Sequence, residues 1–219
     1  MVQLPQIFKM GMNYPGFEIN VELLVMKEYL KQLQQGINAV CDLYITSEMK
    51  NYRDSEYDEY KHIYLIAEEE IPRIIRIPLV VSVYTIYENS ITQLLHYAKE
   101  KESKGLSIKD INGKSITSTF NKYMKHILNY EFQISNRQMA KINALTKVRN
   151  CVAHANGNIE SISVEKLKEL SALDGSEYEI IIESNKIDVS YEFLENSIND
   201  VEEIIKGLMS FMEQRYGAK

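Results

Sequence analysis

The chain has 219 residues and a formal net charge of −6 at pH 7, enough length to bury a full core without disulfide or metal support. The acidic balance argues against a protein that coats nucleic acid non-specifically. The two cysteines, Cys41 and Cys151, lie far apart with no metal-ligand spacing and read as reduced, part-buried thiols of a cytoplasmic protein.

Met1 to Gly11 lacks an apolar core followed by a small-residue cleavage site, so no secretory leader is expected. Leu23, Met26, Leu30, Leu33, Ile37, Val40 and Tyr44 step by three and four, which predicts one stripe of a long helix over about 19–50. An acidic, tyrosine-rich stretch over about 55–71 predicts a second helix, and Pro72 and Pro78 are expected to break or kink the chain. Leu79 to Ala98 is the most apolar segment, with Val80, Tyr84, Tyr87, Ile91 and Leu94 at helical spacing. A helix apolar on most sides is a central one, and its tyrosines read as core before they read as base-stacking platforms. No window is apolar and long enough to span a bilayer, so no membrane association is expected.

Gly105 and Asp110-Ile-Asn-Gly113 predict a loop, and about 116–129 a short helix. Ser135-Asn-Arg-Gln138 reads as a capping box opening a helix that carries Met139, Ile142, Leu145, Val148 and Val152 and ends near His154. Ser163 is expected to cap another short helix. Tyr178 to Glu183 and Ile187 to Val189, split by Ser184-Asn185-Lys186, predict a small hairpin. Ser190 caps the last helix, with Val189 and Leu194 as a hydrophobic staple. The expectation is an all-α antiparallel helical bundle with long N-terminal helices and one small β-hairpin before the last helix. It reads as a single domain over 1–219, with a core over about 78–216 and a helical extension over 18–77 packed on it.

Reactive groups are few. Gly113-Lys114-Ser115 resembles the tail of a P-loop, but Ile108 stands where that motif needs glycine and no strand precedes it. His62, His96 and His126 have no second imidazole three or four residues away, so neither a metal nor a cofactor is expected. The exception is Arg149-Asn150-Cys-Val-Ala-His154-Ala-Asn-Gly157. Asn150 and His154, four apart, share a helix face, while Arg149 points about 140° away from His154. The segment over 132–159 holds no acid but holds Arg137, Lys141, Lys147 and Arg149. That basic stretch suits a compact anionic ligand, and Lys147, Lys141 and Arg137 are candidate phosphate or RNA contacts. A near-neutral imidazole can take the proton of a ribose 2′-hydroxyl, and a guanidinium can hold the phosphate. A second copy across a two-fold axis is the simplest way to bring Arg149 and His154 to one cleft.

Arg149-Asn150-x-x-x-His154-x-x-Gly157, at the end of a helix in an all-helical chain, resembles the HEPN superfamily (higher eukaryotes and prokaryotes nucleotide-binding). Tyr84-x-x-x-Glu88-Asn89 is similar to the family's helix bearing a polar residue near the site, and Asp110-Ile-Asn-Gly113 to a loop of some prokaryotic branches. The resemblance covers about 78–216. It implies a dimeric, metal-independent endoribonuclease that acts on RNA as a toxin or antiviral effector, with an antitoxin or effector protein as a further partner. It also implies that Arg149 and His154 form the catalytic pair, with Asn150 orienting and Glu88 and Asn89 standing behind them. The other expectation is a non-catalytic HEPN module that binds a nucleotide or a protein. A branch controlled by tyrosine AMPylation has Tyr two residues after the His; here that position is Asn156.

Overall fold

A computed structural model of the protein describes residues 10–52, 56–160, 162–173 and 180–217. The described chain is mostly helical. Helix α1 spans Gly16–Glu48, with a 3-10 turn at Met49–Tyr52, and α2 spans Tyr57–Leu65. A π-helical turn, Ile66–Glu70, joins α2 without interruption to α3, Ile71–Lys101. Then come a 3-10 turn at Ile108–Asp110, α4 over Ile116–His126, α5 over Asn136–Ala155 and α6 over Val164–Ser171. Strands β1, Ile180–Glu183, and β2, Lys186–Val189, pair antiparallel, Ile180 opposite Val189 and Glu183 opposite Lys186. Helix α7, Tyr191–Tyr216, ends the description. The expected all-α class and the hairpin before the last helix are therefore present. The predicted start of the first strand, Tyr178, lies outside the described residues.

The hairpin turn is tighter than the sequence suggested. Ser184 and Asn185 both take positive φ, 47° and 60°, so the loop has two residues and Lys186 opens β2. Ser190 caps α7 as expected, its Oγ accepting the Phe193 N–H at 2.8 Å. Ser163 holds the N-cap position of α6 but makes no side-chain capping hydrogen bond. Along α1 the buried line is Ile19, Leu23, Leu30 and Ile37, whereas Val40 is 46% exposed. Three residues advance a helix by about 300°, so Val40 falls about 60° off that line.

The prolines do not break the chain. Pro72 and Pro78 both lie inside α3. In the π turn the Ile71 N–H donates to the Ile66 carbonyl, one residue beyond the α-helical register. At the same five-residue spacing the Ala67 carbonyl would await the N–H of residue 72, which proline lacks. The Cys41 thiol donates to the Ala67 carbonyl instead, at 2.9 Å. Burial and the neighbouring Asp42 push the Cys41 thiol pKa up, which keeps that proton in place.

Contacts divide the chain into two compact units. One comprises the described parts of Met1–Met26, Val83–Thr146 and Asn196–Lys219; the other comprises those of Lys27–Ser82 and Lys147–Glu195. In the first, Tyr84, Tyr87, Ile91, Leu94 and Leu95 of α3 are buried, as expected of a helix apolar on most sides. The Tyr87 and Thr117 hydroxyls lie 2.9 Å apart. The Tyr216 hydroxyl donates to Glu102 at 2.6 Å, and Arg215 donates to the same carboxylate at 2.9 Å. The second unit holds Pro72 and Pro78, the hairpin and residues 147–157. No helix of the described residues is long and apolar enough to cross a membrane.

Gly36 sits mid-helix in α1, and a Cβ there would meet nothing within 4 Å. Gly36→Ala is expected to raise stability by about 0.5–1 kcal/mol, read as a higher urea midpoint at unchanged slope. A midpoint that falls would show that the helix needs a glycine there.

Candidate functional site

The C-terminal half of α5 carries the site. Its first turn is fixed by a reciprocal capping box: Gln138 N–H donates to Ser135 Oγ at 3.2 Å, and Ser135 N–H to Gln138 Oε1 at 3.0 Å. Ile142, Leu145, Val148 and Val152 are all buried. With that stripe inward, the helical period turns Lys147, Asn150, Cys151 and His154 to a different face.

The helix stops just past His154. Asn156 is the first residue in the left-handed region, φ 49°, and Gly157 follows at φ 77°. The Asn156 N–H donates to the Val152 carbonyl at 2.9 Å, satisfying one of the last-turn acceptors. The chain then lies along β2. Gly157 carbonyl accepts the Ile187 N–H at 2.8 Å, and the Ile159 N–H donates to the Asn185 carbonyl at 2.9 Å. Asn158 forms an antiparallel bridge with Lys186. The hairpin thus holds the segment that leaves the motif.

Beside this face is a pocket of about 110 Å³, lined among the described residues by Lys147, Asn150, Cys151 and His154 of α5, Ile162, and Lys166, Glu169 and Leu170 of α6. Each helix gives residues three and four apart, so two regular faces make the walls. His154 is exposed and Asn150 half-buried. Burial pushes the Cys151 thiol up, so this cysteine is a wall rather than a thiolate nucleophile. Lys147 Nζ stands 3.7 Å from Glu169 Oε2.

Arg149 does not line the pocket. It is half-buried, and its Nη1 donates to Asn150 Oδ1 at 2.9 Å. Adjacent residues of a helix do not face one another. The length of the arginine closes the gap and brings its guanidinium to a residue that does line the pocket. The structure thus joins Arg149 to Asn150, and Asn150 to His154 and Lys147.

The other candidates stand elsewhere. Glu88 is half-buried and Asn89 exposed on α3, in the unit that does not contain 147–195. Glu88 makes no hydrogen bond or ion pair among the described residues. Lys141 pairs with Asp200, and Arg137 is exposed in the first turn of α5. Neither lines the pocket. Lys166 and Glu169 do, and sequence reasoning passed over both. Their spacing with Leu170 marks a helix, but nothing in it points to α5. Among the described residues no group of three histidine, cysteine, aspartate or glutamate side chains is placed to hold a metal ion.

A charged cluster braces the hairpin of the same unit. Glu70, at the end of the π turn, takes Lys186 Nζ at 2.8 Å and Arg73 Nη2 at 2.7 Å. Those two hydrogen bonds hold its pKa below the usual carboxylate range. Asp188, two residues after Lys186, is pushed the other way: burial outweighs the Val189 N–H and the charges of Arg76 and Arg73. The signs are therefore opposite. Glu70 contributes stability that is present above the ordinary carboxylate range and lost as pH falls through its lowered pKa. Ionised Asp188 costs stability, a penalty that is absent below the ordinary aspartate range and grows as pH rises through its raised pKa. At neutral pH Glu70→Gln should lower the melting temperature and Asp188→Asn raise it. Each effect is about 1 kcal/mol or less, since Glu70 is 35% exposed, and both should fade in acid. Same-signed shifts in the two variants would contradict this assignment.

Searches find no protein-family model, no curated protein and no solved structure that matches this chain.

Proposed function

We propose that the protein is a metal-independent endoribonuclease of the HEPN type, acting as a homodimer in bacterial defence or stress. The observation that carries this reading is the placement of Asn150 and His154 on one pocket with Lys147 and Lys166, and of the Arg149 guanidinium on Asn150. In the proposed reaction His154 removes the proton of a ribose 2′-hydroxyl. The freed oxygen attacks the adjacent phosphorus, and the 5′ oxygen leaves and takes up a proton. Arg149 offsets the charge that builds on the phosphate oxygens. The products are a 2′,3′-cyclic phosphate and a 5′-hydroxyl.

Arg149 lies off the His154 face, and this supports the dimer. Across a two-fold axis each residue meets its own copy, so paired α5 helices would place two arginines and two histidines about one phosphate. Purified protein incubated with tRNA and mRNA in EDTA should yield RNA ends carrying cyclic phosphate, and DNA should stay whole because it lacks the 2′-hydroxyl. Intact RNA after prolonged incubation with a dimeric preparation would refute the proposal. The absence of Arg149 from the pocket lining also favours a second reading, a HEPN module that binds a nucleotide without cutting it. RNA retained but uncleaved by the wild type would select that one.

A further inference from the structure

We propose that Lys166 is a substrate-phosphate-binding residue of the pocket, shared in that task with Lys147, and that Glu169 competes with the phosphate for Lys147. This rests on the reading of the pocket as a nucleic-acid site. Lys147 comes from α5 and Lys166 from α6, so the two lysines line the same pocket from different helices. Lys141, Lys186 and Lys206 each hold a carboxylate within 2.8 Å. Lys166, by contrast, forms no ion pair among the described residues. Lys147 has Glu169 at 3.7 Å, beyond the distance of a charge-assisted hydrogen bond, and both side chains are part-exposed, 35% and 58%. An exposed pair of this kind is weak, so a phosphate oxygen can displace the carboxylate. Two lysines against one glutamate leave the pocket positive in an acidic chain. The Cys151, Ile162 and Leu170 wall lowers the local dielectric and strengthens the attraction.

The probe is a labelled single-stranded oligodeoxyribonucleotide, which binds through phosphates and lacks the 2′-hydroxyl that cleavage needs. Its affinity for the full chain is read by fluorescence anisotropy across a salt series. Lys166→Gln should weaken binding about two- to five-fold at low salt and lower the slope of log K against log salt by about 0.7, the value for one phosphate contact on a single strand. Lys166→Arg should restore both. Glu169→Gln should tighten binding by a similar factor, an opposite sign that loss of folding cannot produce. An unchanged slope in Lys166→Gln, weaker or equal binding in Glu169→Gln, or no binding by the wild type overturns the proposal. If the wild type cuts RNA and the slope is unchanged, Lys166 is excluded and the nuclease reading stands. If RNA is never cut and the slope falls, the nuclease reading fails and the phosphate subsite stands.

Discussion

His154→Ala should lower the RNA-cleavage rate by about 10²- to 10⁴-fold, the range for loss of a positioned general base. The fold should survive it. His154 is exposed in the last turn of α5, and the buried stripe of Ile142, Leu145, Val148 and Val152 does not include it. What is lost structurally is at most the favourable meeting of an imidazolium with the helix C-terminus, about 0.3–1 kcal/mol. A melting curve close to wild type beside a collapsed cleavage rate is therefore the expected pair of results. Arg149→Ala should cost about 10²- to 10³-fold if the guanidinium stabilises the developing phosphate charge. Arg149→Lys should recover only part of that, because an ammonium keeps the charge and loses the two-pronged donor. Undiminished cleavage by purified His154→Ala, free of contaminating nuclease, would remove His154 from the chemistry.

The elements that periodicity predicts are those whose partners are local or generic. The α5 stripe follows from helical periodicity alone, and the Ser135–Gln138 box and the Ser190 cap from spacing, because their hydrogen bonds close within three residues. The chain runs unbroken through Pro72 for the opposite reason. Helix breaking assumes an orphan carbonyl, but Ala67 finds a thiol 26 residues earlier in the chain, and no local pattern announces that donor. The site divides the same way. Asn150 and His154 are legible because four residues of helix bring them to one face, and Lys147 follows one turn earlier. Lys166 and Glu169 were not, because they reach the pocket through the packing of α6 on α5. Glu88 and Asn89 were chosen by resemblance, and nothing in their own spacing ties them to α5.

Gly157→Val should destabilise the protein by about 3 kcal/mol or more and should reduce cleavage even where the chain remains folded. Two costs combine. A β-branched residue at φ 77° is strained by about 1–3 kcal/mol. A Cβ at this position would also lie 3.2 Å from both Ile187 Cγ2 and Ile77 Cδ1, and both isoleucines are buried, so neither has free space to retreat into. Gly157→Asn separates the two, since asparagine tolerates the left-handed region but still brings the Cβ. It should fall between wild type and valine. The functional consequence follows from the backbone. The Gly157 carbonyl accepts the Ile187 N–H, tying the end of α5 to β2 three residues after His154. Pushing Ile187 away loosens that tie and the aim of the imidazole, and catalysis is sensitive to displacements of about 1 Å. A Gly157→Val protein that melts with the wild type would show that the close contact at this turn yields without cost, and its cleavage rate would then have to equal the wild type's.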